Sequence, residues 1–309
     1  MNIVSLFNAM PGACAQGLIW GIMAIGVYIT YKILDLADLT VDGTMCTGGA
    51  VCIMLMLKGW PVWAALIIAF LVGMLAGFVT GILHTKLGIP AILAGILTQL
   101  GLYSINLRIM DSKANQAINV DKYDLLVSLR YIKNVPIYKN TILIVAIIIV
   151  VLVAVLYWFF GTELGASIRS TGANPNMSRA QGINTDFTKI LGLMISNGIV
   201  ALASGLYAQY QGFADINAGR GAIVIGLAAV IIGEVIFGKI SLNFAFKLIS
   251  VALGAIIYYL VLQIVMWLGL NSNDLKLLSA VVVAIFLAVP YMKQKYFATS
   301  TKKGGAKHA

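Results

Sequence analysis

The sequence predicts an all-α membrane protein, a polytopic helical bundle of about nine to ten spans with inverted repeats and broken helices. Three observations point there. Of 309 residues, 61% are hydrophobic and 10% charged, and mean hydropathy is +0.96; a soluble domain carries roughly 25% charged residues. Apolar runs follow one another along the chain, and a crossing helix needs about 20 such residues. Polar breaks interrupt those runs at corresponding places in two halves. Residues 1–309 therefore read as one transmembrane domain.

The candidate spans are 12–34, 44–57, 62–83, 91–107, 141–160, 190–207, 222–237, 244–268 and 275–291. Several are short for a crossing, which suggests broken helices packed inside a bundle. The chain divides into a first repeat over about 12–110, a loop over 108–140, a polar loop over 161–184, a second repeat over about 190–291 and a basic tail over 292–309. No Lys or Arg precedes Lys32, so the first span lacks the basic flank of a cleavable signal and is expected to be retained.

Shifting the first half by 177 positions aligns Gly21 with Gly198, Ala24 with Ala201, Asp38 with Asp215 and Gly49 with Gly226. In each half an apolar span leads to a polar break and then to a Gly-rich span. The breaks lie at 35–43 and 213–221. Five spans separate corresponding elements, and an odd number inverts the second copy. Gly73, Gly77 and Gly81 sit at four-residue spacing on the third span, a face for close helix packing within the chain.

Charge gives the expected topology. The formal net charge is +10, and the basic residues occupy loops and the tail, which excludes a nucleic-acid-binding face. Lys293, Lys295, Lys302, Lys303 and Lys307 place the C-terminus in the cytoplasm by the positive-inside rule. Counting spans back puts the 161–184 loop inside and the N-terminus outside. The 108–140 loop then falls outside although it carries Arg108, Lys113, Lys122, Arg130, Lys133 and Lys139. Here the span count is followed over the charge, because both ends of the second half agree with it.

The polar loop is punctuated for helices. Thr162 can cap a helix ending at Gly172, and Asn174 can cap a short one with Pro175 first and Gly182 past its end. Asp38, Asp42 and Asp215 are acids near membrane depth, where ionisable groups are costly and mark function. Thr40, Asp42, Gly43 and Thr44 form one side of a candidate pathway and gate; Asp215, Asn217 and Arg220 form the other. Gln99, Tyr103 and Asn106 recur on one face of the fourth span, either lining that pathway or bonding helices together. Gly43 and Gly221 are expected to supply turn conformations at the breaks.

Catalytic chemistry is not expected. Cys14, Cys46 and Cys52 lie in apolar runs without metal or disulfide spacing, and His84 and His308 are isolated. The string from Gly233 to Lys239 imitates a phosphate-binding loop, but Ile240 stands where Ser or Thr is needed. The chain is read as a non-enzyme with no cofactor or metal of its own.

On Gly165, Arg169, Gly172, Asn174–Pro175, Ala180 and Gly182–Ile183–Asn184, the polar loop resembles that of ABC-importer permeases of the branched-chain amino-acid/ribose type. The resemblance continues through Ala201, Gly205 and Gly221 to Gly233, and more loosely through Asp38–Gly43, where Asp42 is an added acid. It implies a coupling helix, with Ala173, Asn174, Pro175, Met177, Arg179 and Gly182 docking on a separate ATPase that holds ATP and Mg. It implies an extracytoplasmic substrate-binding protein, for which Arg108, Lys113, Lys122 and Arg130 are the candidate docking residues. It implies a second permease copy, with a homodimer favoured, in the cytoplasmic membrane of a bacterium. The branch it is most similar to includes predicted importers of aromatic amino acids such as tryptophan. The solute is expected to be an aromatic or branched-chain amino acid; a sugar or nucleoside importer is the alternative. A second class, an ion-coupled secondary transporter using Asp42 or Asp215, fits inverted repeats and broken helices equally well.

Overall fold

The computed structural model describes residues 3–132, 139–238, 243–269 and 274–292. Eleven helices are described: α1 Ile3–Tyr28, α2 Thr40–Leu57, α3 Val62–Thr85, α4 Ala91–Ile109, α5 Thr141–Gly161, α6 Glu163–Ala173, α7 Pro175–Ala180, α8 Thr185–Gln211, α9 Ala222–Phe237, α10 Phe244–Trp267 and α11 Leu275–Met292. A π-helical turn, Ile29–Ile33, extends α1. The architecture is the expected all-α polytopic one. Among the described residues seven helices are long and apolar enough to cross a membrane, and α9, with 16 residues, is shorter. The basic tail beyond Met292, Lys133 and Lys239 lie outside the described residues.

Small residues set the packing. Gly73, Gly77 and Gly81 of α3 face α8, where added Cβ atoms would meet Asn197, Leu193 and Ile190, so this stripe serves an intramolecular seam. α8 packs on α3, α2 and α1, while α10 packs on α1 and α9. The two halves exchange equivalent partners. Gly49 on α2 abuts Ser204 of α8; Gly226 on α9 abuts Val27 of α1, the position 177 residues before Ser204. α1, α2 and α8 are mostly buried, whereas α4 and α5 turn most of their surface outward.

Within the 108–140 segment, residues 108–132 are more ordered than a plain loop. Its strand β1, Asn115–Ala117, pairs antiparallel with β2, Phe213–Asp215, directly after α8. Leu126 N–H donates to Gln209 Oε1 at 3.1 Å, and Ile118 N–H donates to the Gly212 carbonyl at 2.9 Å. The segment is thus pinned to the end of the bundle opposite α6 and α7. The sequence could not show this: three-residue strands carry no period, and their pairing spans about a hundred positions.

Candidate functional site

The first break is shorter than expected. It covers 34–39, and α2 begins at Thr40 rather than near Thr44, so Thr40, Asp42 and Gly43 lie in its first turn. Asp38 starts the helix from outside it. Its Oδ1 accepts the Thr40 N–H at 2.9 Å, and its Oδ2 accepts from Asn197 Nδ2 at 2.7 Å. Thr44 Oγ1 donates to Asn197 Oδ1 at 2.7 Å. The freed backbone at the break is therefore satisfied inside protein, as spanning segments require. Gly43 supplies no turn. It is helical, and its missing Cβ would lie 3.0 Å from Gln99 Cα, so it lets α4 come close.

The second break does use a glycine turn. Gly221 has φ +84, in the left-handed region, and no cap of its own. Asp42 supplies the cap from the other half of the chain. Its two carboxylate oxygens accept from Gly221 N–H at 3.0 Å and Ile223 N–H at 2.9 Å. A carboxylate at a helix N-terminus satisfies orphan N–H groups and complements the helix dipole. Cys46 joins the same turn: its thiol donates to the Ile216 carbonyl at 3.0 Å, and its sulfur accepts from Gly219 N–H at 3.2 Å.

Around this junction lies a cavity of about 440 Å³, lined by Asp42, Gly43, Cys46, Gln99, Tyr103, Asn106 and Arg220 together with Leu100 and Ile216. Six of the ten pathway candidates are therefore brought to one place. Thr40 turns away, into a hydrogen-bonded chain with Thr80 and Thr98. Thr44 faces Asn197. Asp215 and Asn217 form a local turn, with Asn217 N–H donating to Asp215 Oδ1 at 2.9 Å, and neither lines the cavity. Sequence reasoning missed Asn197 and Cys46. Asn197 could have been found as the polar residue inside the apolar 190–207 run; Cys46 gave no signal, because a buried cysteine resembles any small apolar residue.

The α6–α7 end matches its capping pattern. Thr162 Oγ1 accepts from Gly165 N–H at 3.4 Å, and Asn174 Oδ1 accepts from Met177 N–H at 3.0 Å. Gly182 follows with φ +83. Ala173, Asn174, Pro175, Met177 and Gly182 stand exposed, with Met177 55% exposed. Arg179 is tied down within the chain: Nε donates to Thr185 Oγ1 at 2.7 Å, and its guanidinium lies 3.5 Å from Asp186. It clamps α7 onto α8. At the opposite end Arg108, Lys113, Lys122 and Arg130 are exposed, and Arg130 pairs with Asp121 at 2.7 Å.

A family profile described as the branched-chain amino acid transport system / permease component matches residues 10–290. A tyrosine transport system permease protein of Clostridioides difficile is 41% identical over 273 residues, 88% of either chain. An uncharacterized protein of Rickettsia prowazekii is 36% identical over 91% of this chain and 97% of its own. The autoinducer 2 import system permease protein LsrC of Yersinia pestis is 32% identical over 57% of this chain and 48% of its own. Among solved structures, PsaBC from Streptococcus pneumoniae in complex with Fab shares the fold, with TM-score 0.55 and 13% identity over 97% of this chain and 100% of that one. The family match takes the place of the secondary-transporter reading. The chain belongs to the branched-chain amino acid transport system permease family and is the permease component of an ABC-type importer.

Proposed function

We propose that this permease imports an aromatic amino acid through the cavity between Asp42, Gln99, Asn106 and Arg220. The observation that carries the reading is that Asp42 ties the start of α2 to the second break at the wall of a cavity with cationic, anionic and amide groups. A zwitterionic solute needs both charge signs, and polar groups converging in one cavity are the usual mark of a ligand site. The tyrosine permease relative supports an aromatic solute. A branched-chain solute would use the charged groups and leave the amides idle.

The exposed outer face of α4, with Leu93, Leu97, Leu100 and Tyr103, lies beside the cavity, and a second copy seated there would close it. The paired contacts of Gly49 and Gly226 support two inverted repeats rocking against each other. The α7 knob, presenting Ala173, Asn174, Pro175, Met177 and Gly182, fits a cleft on the ATPase, whose ATP and Mg drive the change. On this reading the α6–α7 end faces the cytoplasm of a bacterial cell, and the β1–β2 end the outside. There Arg108, Lys113 and Lys122 meet the binding protein, with Arg130 held back by Asp121.

The test is uptake into proteoliposomes that hold this permease, its ATPase with internal ATP and its binding protein. ATP-dependent accumulation of tyrosine or tryptophan is expected. Accumulation of leucine or a pentose, with neither aromatic amino acid taken up, overturns the reading.

A further inference from the structure

Buried polar side chains in this protein are nearly all partnered within it. Asn197 bonds Asp38 and Thr44, Thr80 bonds Thr40 and Thr98, and Ser204 bonds the Met45 carbonyl. Asn106 departs from that pattern. It is 1% exposed, and both its amide oxygen and its amide nitrogen lack a partner among the described residues. A buried amide left unpaired is costly, and each such group calls for an explanation. Asn106 lines the cavity, on the face of α4 that also carries Gln99 and Tyr103. Were it merely bonding helices together, its partner would be on a neighbouring helix, as Asn197's is.

Two further groups define the solute. Arg220 lines the same cavity and makes no ion pair among the described residues, so its guanidinium is available to a carboxylate. Asp42 accepts backbone N–H groups from Gly221 to Ile223, and its two oxygens, with about four acceptor sites between them, keep one for an ammonium group. With the two charged ends of an amino acid so engaged, the amide of Asn106 is left for the side chain. A side-chain amide offers an NH2 donor and a carbonyl acceptor. A phenol can meet both, and an indole N–H can meet the oxygen. The benzene ring of phenylalanine can meet neither.

We propose that Asn106 is the specificity-determining residue of this cavity, hydrogen-bonding the ring hydroxyl of tyrosine or the ring N–H of tryptophan and discriminating against phenylalanine. The proposal rests on the aromatic-solute reading above. A site built to hydrogen-bond a hydroxyl or N–H rejects the analogue that lacks it far more strongly than an apolar pocket rejects a change of size.

The experiment measures Tm of the purified permease–ATPase complex, without binding protein, against equal concentrations of tyrosine, tryptophan and phenylalanine. Wild type should rise with the first two and need more than about a thousandfold more phenylalanine for the same rise. Asn106→Leu should remove that difference by weakening tyrosine and tryptophan, with phenylalanine unchanged. If Asn106→Leu fails to assemble, Asn106→Ala takes its place. Arg220→Gln should weaken all three alike. Equal shifts for all three in wild type, or discrimination surviving in the Asn106 variant, overturns the proposal. No shift with any of them, while proteoliposomes still import aromatic amino acids, overturns it too and leaves the solute class standing. No shift together with no aromatic uptake removes the solute class first.

Discussion

The two breaks solve one problem in different ways. After α1, the chain turns over 34–39 and enters α2 with an acid of its own, Asp38, held by Asn197 and Thr40. After α8, the chain turns through β2 and enters α9 at Gly221 with no cap of its own. It takes Asp42 from the first half. The first break is therefore self-sufficient in its cap, whose acid is buried, and the second depends on α2. A helix start that depends on a distant carboxylate can be released by moving that carboxylate. An element that must change its surroundings during alternating access needs such a contact.

The sharpest way to break the comparison is Asp42→Leu. It strands the Gly221 and Ile223 N–H groups at the cavity wall, each costing about 1–3 kcal/mol. Transport should fall more than about tenfold, while membrane insertion and ATPase co-purification stay near wild type. Full transport in this variant would show that α9 does not depend on Asp42.

Gly43→Val comes next. Its side chain meets Gln99 and Leu102 on α4, so the cavity wall must shift. Core overpacking costs about 1–3 kcal/mol, and a clear loss of transport rate is expected with most insertion retained.

Asn197→Leu probes the self-sufficient break. It takes one partner from buried Asp38 and one from Thr44, leaving each its bond to Thr40, so thermal stability in detergent should drop by several degrees, with about 1–3 kcal/mol lost. If the first break is a static support, the surviving protein transports normally per folded molecule. A transport defect without a stability defect would make it a moving part.

The smallest effects belong to the α7 knob, which lies at the end of the bundle opposite the second break. Met177→Asp places a charge on its exposed surface and should reduce ATPase co-purification severalfold. Arg179→Glu should act differently, by loosening α7 from α8 at Thr185 and Asp186. It faces Asp186 with a like charge, so its co-purification defect should be partly restored by Asp186→Lys. Equal defects in Arg179→Glu and the double variant would place Arg179 against the ATPase instead.

Composition and capping chemistry alone determined a good deal. An apolar chain of this kind has no option but helices in a bilayer, because backbone polar groups must be satisfied within each span. Thr162, Asn174, Pro175 and Gly182 set the α6–α7 unit because caps act within three or four residues of the groups they serve. The Gln99, Tyr103 and Asn106 face could be read because helical periodicity fixes which side chains share a side. What the tertiary structure decided lies between segments far apart in sequence. Asp42 caps a helix some 179 positions away, Asp38 is held by Asn197, β1 finds β2, and the exposed Arg179 reaches across to Asp186. A carboxylate in a sequence shows only that a partner is needed; which N–H groups supply it depends on how α2, α8 and α9 pack.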